Sequence, residues 1–353
     1  MLRIFKACLK IPPQMRSKIT LKELAKLLNV SVSTVSKSLN DSSEISPKTI
    51  KRVKELAKFH NYRPNPTAVN LKRNRTGNIA VIVPHISHSF FSKVLSGVET
   101  EARKLGFQVI TYISNESLHL EQQITELISD GLVDGLLISV SEETQKMHDY
   151  DHLRKLLEYE MPVVLFDRIL QDLEMDMVGV NDKGSIYEAV KFLYSQNIRK
   201  IAVVSGLGEI ALGKQRIEGY KEACLECGIE INKSYLLTSK DISSVRQKLK
   251  KLLTRDKIEA IIGLDYISTL LSSRVVQENN LKIPEQVKII GYVNEEFAPY
   301  LWPSLSYVDQ HPAKMGEIAA SLLVERINGN LVKKPAHTIL KTELKHLDST
   351  GVS

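Results

Sequence analysis

Cysteine is scarce in this chain: Cys8, Cys224 and Cys227 are the only three in 353 residues. An odd, low count argues against a disulfide framework and fits a reducing cytoplasm. Cys224 and Cys227 stand at a redox or metal spacing. They fall late in a predicted helix, however, just before Gly228, whereas a reactive thiol wants a helix N-terminus. No second ligand pair stands at zinc spacing, so the pair reads as structural. No apolar run approaches 18 residues, so no transmembrane helix is expected. The opening stretch MLRIFKACLKIPPQM lacks the sustained apolar core of a signal peptide. Catalytic signatures are missing too. Gly206-Leu207-Gly208 follows a predicted strand without the third glycine of a dinucleotide fingerprint. There is no P-loop, no G-x-S-x-G and no H-E-x-x-H. The nine histidines are scattered, with His85 and His88 reading as a solvated loop. No catalytic residue, no metal site, no cofactor and no enzyme activity are expected.

Charge is distributed unevenly. The net +7 hides a segment, residues 18–76, with 13 Lys and Arg against 4 Asp and Glu, net +9. Residues 1–17 add net +4, and the remainder is net −6. A basic head on a mildly acidic body is an electrostatic footprint for nucleic acid.

Within that head, residues 20–40, TLKELAKLLNVSVSTVSKSLN, read as a helix, a tight turn and a second helix. Thr20 with Glu23 three residues later is a capping box, which starts the first helix at Leu21. Leu21, Leu24, Ala25 and Leu28 form its apolar face. Asn29-Val30-Ser31 supplies the turn, and the second helix is predicted over 32–39 with Val35 and Leu39 inward. Ser33, Thr34, Ser36 and Lys37 then face outward, able to hydrogen-bond bases or phosphates. Ser46-Pro47 caps a third helix, with Ile50, Val53, Leu56, Ala57 and His60 on one face. Asn65-Pro66 is a cap signal for a short helix over 66–73, which at about eight residues needs a partner to be stable. The motif alone is equally compatible with an ordinary amphipathic helix pair.

VSVSTVSKSLN, then NYRPN, then A-x-x-L-K, then a strand opening an α/β region, resembles the lactose-repressor/galactose-repressor (LacI/GalR) family of bacterial transcription regulators. The likeness runs in order to about residue 345. It implies that 66–73 is a hinge helix that orders when two subunits sit on an operator. Leu71 would wedge into the minor groove, with Ala68 one turn before it, kinking the duplex to expose more contact surface. The alternative for Leu71 is a buried linker leucine, although Lys72, Arg73 and Arg75 around it suit phosphates better than a core. Met15 directly precedes RSKITLKELA, where family members usually begin. Residues 1–14 are therefore expected to be an upstream extension or the product of a misassigned start, and the disordered N-terminal extension is placed over 1–17.

From Asn78 onward, strand-like runs at 79–83, 107–113, 134–139, 162–166, 200–204, 260–264 and 287–292 alternate with helical patterns. The helices are expected over 90–105, 120–129, 182–196, 213–226 and 266–279, with another over about 311–328. Continuous apolar strands separated by helices mean parallel sheets covered on both faces, and so many repeats suggest two doubly wound lobes. Ligands then bind at the strands' carboxyl ends, between lobes. The resemblance implies a core like a periplasmic sugar-binding protein, with crossovers near Phe166-Asp167, near Tyr307–Gln310 and near 336–340. It also implies effector-side residues: aromatic Phe90 and Phe91, Asp167 with Arg168 after a strand, Arg216 as a gripping fork of donors, and Asn294. At least one of the two phenylalanines also reads as core. Asp265 ends a strand and reads equally as pocket residue or helix N-cap. Ile210, Leu264 and Val293 depart from the family by placing apolar groups where members carry polar ligand groups. A monosaccharide would be poorly served by such a pocket.

The expected fold is an all-α helix-turn-helix head plus an α/β, two-lobed periplasmic-binding-protein-like core of doubly wound parallel sheets. The expected domains are 1–17, 18–64, a hinge over 65–76 and a core over 77–347. Within the core, lobe 1 is placed at about 77–166 and 308–336, and lobe 2 at about 167–307 and 337–347. The expected function is a ligand-responsive, sequence-specific regulator, a cytoplasmic nucleoid-associated homodimer on double-stranded, near-palindromic operator DNA, with no membrane partner. Its DNA contacts would be Thr20, Val32, Ser33, Thr34, Ser36, Lys37, Asn40, Asn65, Ala68, Leu71, Lys72 and Arg73. A small-molecule effector, with a sugar or sugar derivative among the candidates, would sit against Phe90, Phe91, Asp167, Arg168, Arg216, Asp265 and Asn294. The rivals are control by a partner protein, and a solute-binding protein without DNA function.

Overall fold

The computed structural model describes residues 19–62, 75–87, 89–170, 172–208, 210–330 and 334–351. The chain divides into two compact units, Met1–Arg75 and Thr76–Ser353. The expected extension over 1–17 and the hinge helix over 66–73 lie outside the described residues.

Among the described residues, the first unit holds three helices, α1 (Leu21–Leu28), α2 (Val32–Leu39) and α3 (Pro47–Phe59). Each begins where its cap dictates. Thr20 and Glu23 form the reciprocal capping box. Ser31 Oγ accepts from Thr34 N, and Ser46 Oγ accepts from Thr49 N with Pro47 in the first turn. Asn29 ends α1 in a left-handed conformation, which Asn tolerates better than most residues. Leu24, Ala25, Val35, Val53 and Ala57 form the small core. Ser38 joins the buried set, whereas His60, expected on the apolar face, is exposed as the residue capping α3.

The second unit contains two six-stranded sheets. The first has the order β11-β5-β4-β3-β1-β2. Its strands are β1 (Asn78–Val83), β2 (Gln108–Ile113), β3 (Leu136–Ile138), β4 (Val163–Phe166), β5 (Asp176–Val180) and β11 (His337–Leu340). The second has the order β12-β10-β9-β8-β6-β7. It is built from β6 (Ile201–Ser205), β7 (Leu236–Thr238), β8 (Ala260–Gly263), β9 (Lys288–Gly291), β10 (Ser306–Asp309) and β12 (Glu343–Lys345). Among the described residues, all strand pairings are parallel except β10 with β12. Strands β4, β6 and β8 are buried along their whole length and β1 from Ile79 onward, as parallel strands covered on both faces must be.

Helices α4 (Ser89–Lys104) and α12 (Pro312–Ile327) cover one face of the first sheet. Helices α5 (Leu118–Ser129) and α7 (Asp151–Glu158) cover the other, and the short α6 (Glu142–Met147) follows β3. The second sheet is packed between α8 (Asp182–Ser195) with α9 (Ala211–Glu226) and α10 (Ile242–Lys251) with α11 (Tyr266–Glu278). Helices α4 and α12 cross so closely that a Cβ on Gly97 would lie 2.0 Å from the Ala313 carbonyl oxygen. One on Gly316 would lie 2.1 Å from the Val94 carbonyl oxygen.

The lobe limits differ from the expected ones. The chain leaves the first lobe after Val180, not near Phe166-Asp167, because Asp176–Val180 forms β5 and pairs with β4. That five-residue strand, which starts at Asp176 and contains Gly179, is too short and irregular for periodicity to mark. Strand β11 pairs with β5, so His337–Leu340 belongs to the first lobe, and only β12 returns to the second. Residues 306–309 lie wholly in the second sheet, and the return to the first lobe begins at α12.

Candidate functional site

In the head, the reading surface is the outer face of α2. Val32 is 40% exposed, an apolar side chain held out to solvent. Ser33 is exposed, while Thr34 and Ser36 are half-buried. The Ser31 hydroxyl lies 2.7 Å from Ser33 Oγ and 2.8 Å from Thr34 Oγ1, so a cluster of hydroxyls gathers at the start of α2. Lys37 is exposed and ion-paired with Glu44. Asn40 Nδ2 donates to Ser36 O at 2.9 Å. Thr20 is occupied by its capping box, with Oγ1 2.9 Å from Glu23 Oε2. Lys54 pairs with Asp41 at 2.5 Å. Of the predicted DNA contacts, Asn65, Ala68, Leu71, Lys72 and Arg73 lie outside the described residues.

In the second unit, a cavity of about 440 Å³ lies between the lobes, within the size range of small-molecule sites. Phe90, Phe91, Asp167, Arg168, Arg216, Asp265 and Asn294 all line it. Their surroundings give them different capacities. Phe91 is a core side chain, packed edge-on to Phe166, while Phe90 is half-buried beside it. Arg168 grips Glu116 through both terminal nitrogens, at 2.6 and 2.7 Å, and donates to the Val140 carbonyl at 2.9 Å. Burial pushes the Glu116 carboxyl up, but the Arg168 guanidinium outweighs it and leaves the group below the usual range. Arg216 donates to Asp182 Oδ1 at 2.7 Å and to the Leu264 carbonyl at 2.6 Å. Its guanidinium stacks 3.7 Å over the Tyr292 ring centroid. Asp265 accepts from Ser268 N at 2.9 Å, Ser268 Oγ at 2.6 Å and Gly206 N at 2.7 Å. Of its two readings, the N-cap one describes these contacts. Asn294 Oδ1 accepts from Glu296 N at 2.8 Å.

Asp167 differs from the rest. It follows β4 with a positive φ of 63°, is 9% exposed, and its carboxylate has no hydrogen-bond or ion-pair partner among the described residues. Burial holds its carboxyl at about 6 instead of the ordinary 3.8.

Of the three departures, Ile210 and Val293 line the cavity. Leu264 does not: its side chain is buried in the second lobe's core, and its contribution is the carbonyl that holds Arg216. Polar contacts between the lobes carry no signal in the sequence. Lys93 of α4 reaches Glu295 at 2.6 Å and Glu296 at 3.5 Å. Glu142 of α6 pairs with Lys240, and Gln145 Oε1 accepts from Ala211 N at 3.0 Å. These partners stand 66 to 203 residues apart, beyond any local signal. Among the described residues, no group of three His, Cys, Asp or Glu is placed to hold a metal, and no helix is long and apolar enough to cross a membrane.

Residues 20–65 match the family described as bacterial regulatory proteins, lacI family, and residues 190–350 match a periplasmic binding protein-like domain. The HTH-type transcriptional repressor PurR of Aliivibrio salmonicida (strain LFI1238) is 30% identical over 310 residues, 87% of this chain and 92% of that protein. The chain belongs to the lacI family of bacterial regulatory proteins. It is thus a DNA-binding transcriptional repressor of that family and not an enzyme. Among solved structures, a complex of the transcriptional regulator CelR with cellobiose is 26% identical, with a TM-score of 0.69 over 94% of this chain and 99% of that one. The lac repressor dimer bound to operator and the anti-inducer ONPF is 19% identical. It shares the fold at a TM-score of 0.80, over 95% of this chain and 99% of that one.

Proposed function

We propose that this lacI-family repressor acts as a homodimer on a near-palindromic operator, and that an effector in the interlobe cavity sets its affinity for DNA. Each head would lay residues 32–37 into a major-groove half-site, with Ser33 and Lys37 on base edges and Val32 on a thymine methyl. Lys37 reaches guanine as a point charge, without arginine's bidentate fork. The observation that carries this is the outward face of α2, where an apolar side chain, a serine hydroxyl and a lysine stand together in solvent.

Two-fold symmetry in the protein implies near-palindromy in the site. Phe297, Tyr300 and Trp302, 56%, 86% and 88% exposed on the loop after β9, favour self-association, since a monomer rarely leaves such a group of aromatics in water. Coupling would run through 65–73, with Ala68 and Leu71 at the minor groove and Lys72 and Arg73 on phosphates, as the family resemblance implies. Effector binding then shifts a two-state equilibrium by its differential affinity for the two states.

The test is selection of bound duplexes from a random pool at stated salt. An enriched palindrome with a central flexible step is expected. Binding with a steep salt dependence and no enriched motif, with or without a low-molecular-mass cell filtrate, refutes the sequence-specific reading.

A further inference from the structure

Four cations line the cavity, and each is matched within the chain. Lys93 pairs with Glu295, Arg168 with Glu116, Arg216 with Asp182, and Lys240 with Glu142. Among the described lining residues, no lysine or arginine is left over for an incoming anion. The carboxylates are in excess. Asp309 is held by His311, with its Oδ1 accepting from His311 N at 2.8 Å and its Oδ2 3.2 Å from the ring Nδ1. Asp265 is committed to capping α11. Asp167 has no direct ion pair and no donor among the described residues, although it is nine-tenths buried, and Arg168 and Arg216 offset its burial only in part.

An unpaired buried carboxylate is costly, and a ligand cation is the group that relieves it most. Gln310 contributes the converse: its Nε2 is buried without a partner, a donor awaiting an acceptor. The second lobe adds a group of apolar side chains to the wall, Ile210, Leu212, Ile242, Ile267 and Val293. A carboxylate or phosphate ligand would find each lining guanidinium and ammonium already ion-paired, with the buried Arg168 Nε as the donor left over, and would meet Asp167.

We propose that the effector is a protonated amine on an apolar body carrying one hydrogen-bond acceptor, and that Asp167 selects it over anionic and neutral analogues. This deepens the small-molecule reading above and rests on it. The amine nitrogen would donate to Asp167, the apolar body would lie on the wall around Ile210 and Val293, and the acceptor would take the Gln310 Nε2 hydrogen. The Asp167 carboxylate and the Gln310 amide are thereby both satisfied.

Three probes on one frame separate the charges: tyramine, tyrosol and phloretate carry an ammonium, a hydroxyl and a carboxylate on the same phenol. Calorimetric titration of the full chain near neutral pH should give tyramine on the order of tenfold tighter binding than tyrosol, and none for phloretate. Asp167→Asn should bring tyramine down to tyrosol and leave tyrosol unchanged. Binding of phloretate as tight as tyramine overturns the proposal, as does a tyramine preference that survives Asp167→Asn. So does failure of all three to bind. The effector reading itself is judged separately, by whether a low-molecular-mass cell filtrate changes binding to the selected operator. If it does while phloretate binds best, the effector stands and its charge was misassigned.

Discussion

Replacing Asp167 by asparagine keeps the shape of the side chain and removes its charge. The carboxyl sits at about 6 in the folded chain against an ordinary 3.8, because burial penalises the ionised form. Asp182 and Glu116 add to that penalty, while Arg168 and Arg216 partly offset it. A raised acid pKa means that the folded state holds the proton more tightly than the unfolded chain. The side chain is therefore least unfavourable below the unfolded value, and stability falls as pH rises from about 4 to about 6. A shift of about 2 pH units corresponds to about 3 kcal/mol, at about 1.4 kcal/mol per unit. Asp167→Asn should match the wild-type chain near pH 4 and exceed it by up to about 3 kcal/mol above pH 6.5. At roughly 2–4 °C per kcal/mol, the unfolding midpoint near neutral pH should rise by several degrees. Thermal unfolding of both chains across that range, without ligand and at fixed ionic strength, is the assay. A gap that stays constant with pH would refute the argument, since only a titrating carboxylate makes it grow.

Other expectations concern the packing and the head. Glu44→Gln frees Lys37 from its ion pair, and since an exposed pair contributes about 0–1 kcal/mol, operator affinity should rise by up to about fivefold per head; a fall in a fluorescence anisotropy titration would remove Lys37 from the DNA contacts. Gly97→Ala places a methyl 2.0 Å from the Ala313 carbonyl oxygen, so the first lobe should lose about 1–3 kcal/mol or more, and an unchanged urea midpoint would contradict the close crossing of α4 and α12. Trp302 is the single tryptophan and is 88% exposed. If a second copy covers it, its emission should move to shorter wavelength as protein concentration rises through the association range, and constant emission through a measured dimerisation excludes this loop from the interface.

Much of the head was legible in the sequence because its signals are local. Capping pairs act over three residues, and a 3.6-residue period marks each buried face, so α1, α2 and α3 begin where their Thr or Ser caps stand. The lining of the cavity was legible for a topological reason: ligands collect at the carboxyl ends of parallel strands, and Asp167 and Asp265 stand just past the ends of β4 and β8. Only the tertiary structure decided what those residues are free to do. Arg168 and Arg216 look alike in the sequence as donors for a ligand, yet Glu116 and Asp182, 52 and 34 residues away, hold both. Asp167 was one acid among several until packing left it alone without a partner. Local patterning was enough to specify the helix-turn-helix head, the alternating α/β body and the strand ends that could meet a ligand. The charge balance of the cavity and the bridges from Lys93 and Glu142 across it were decided by tertiary structure, because ion pairs between distant segments depend on which surfaces packing brings together.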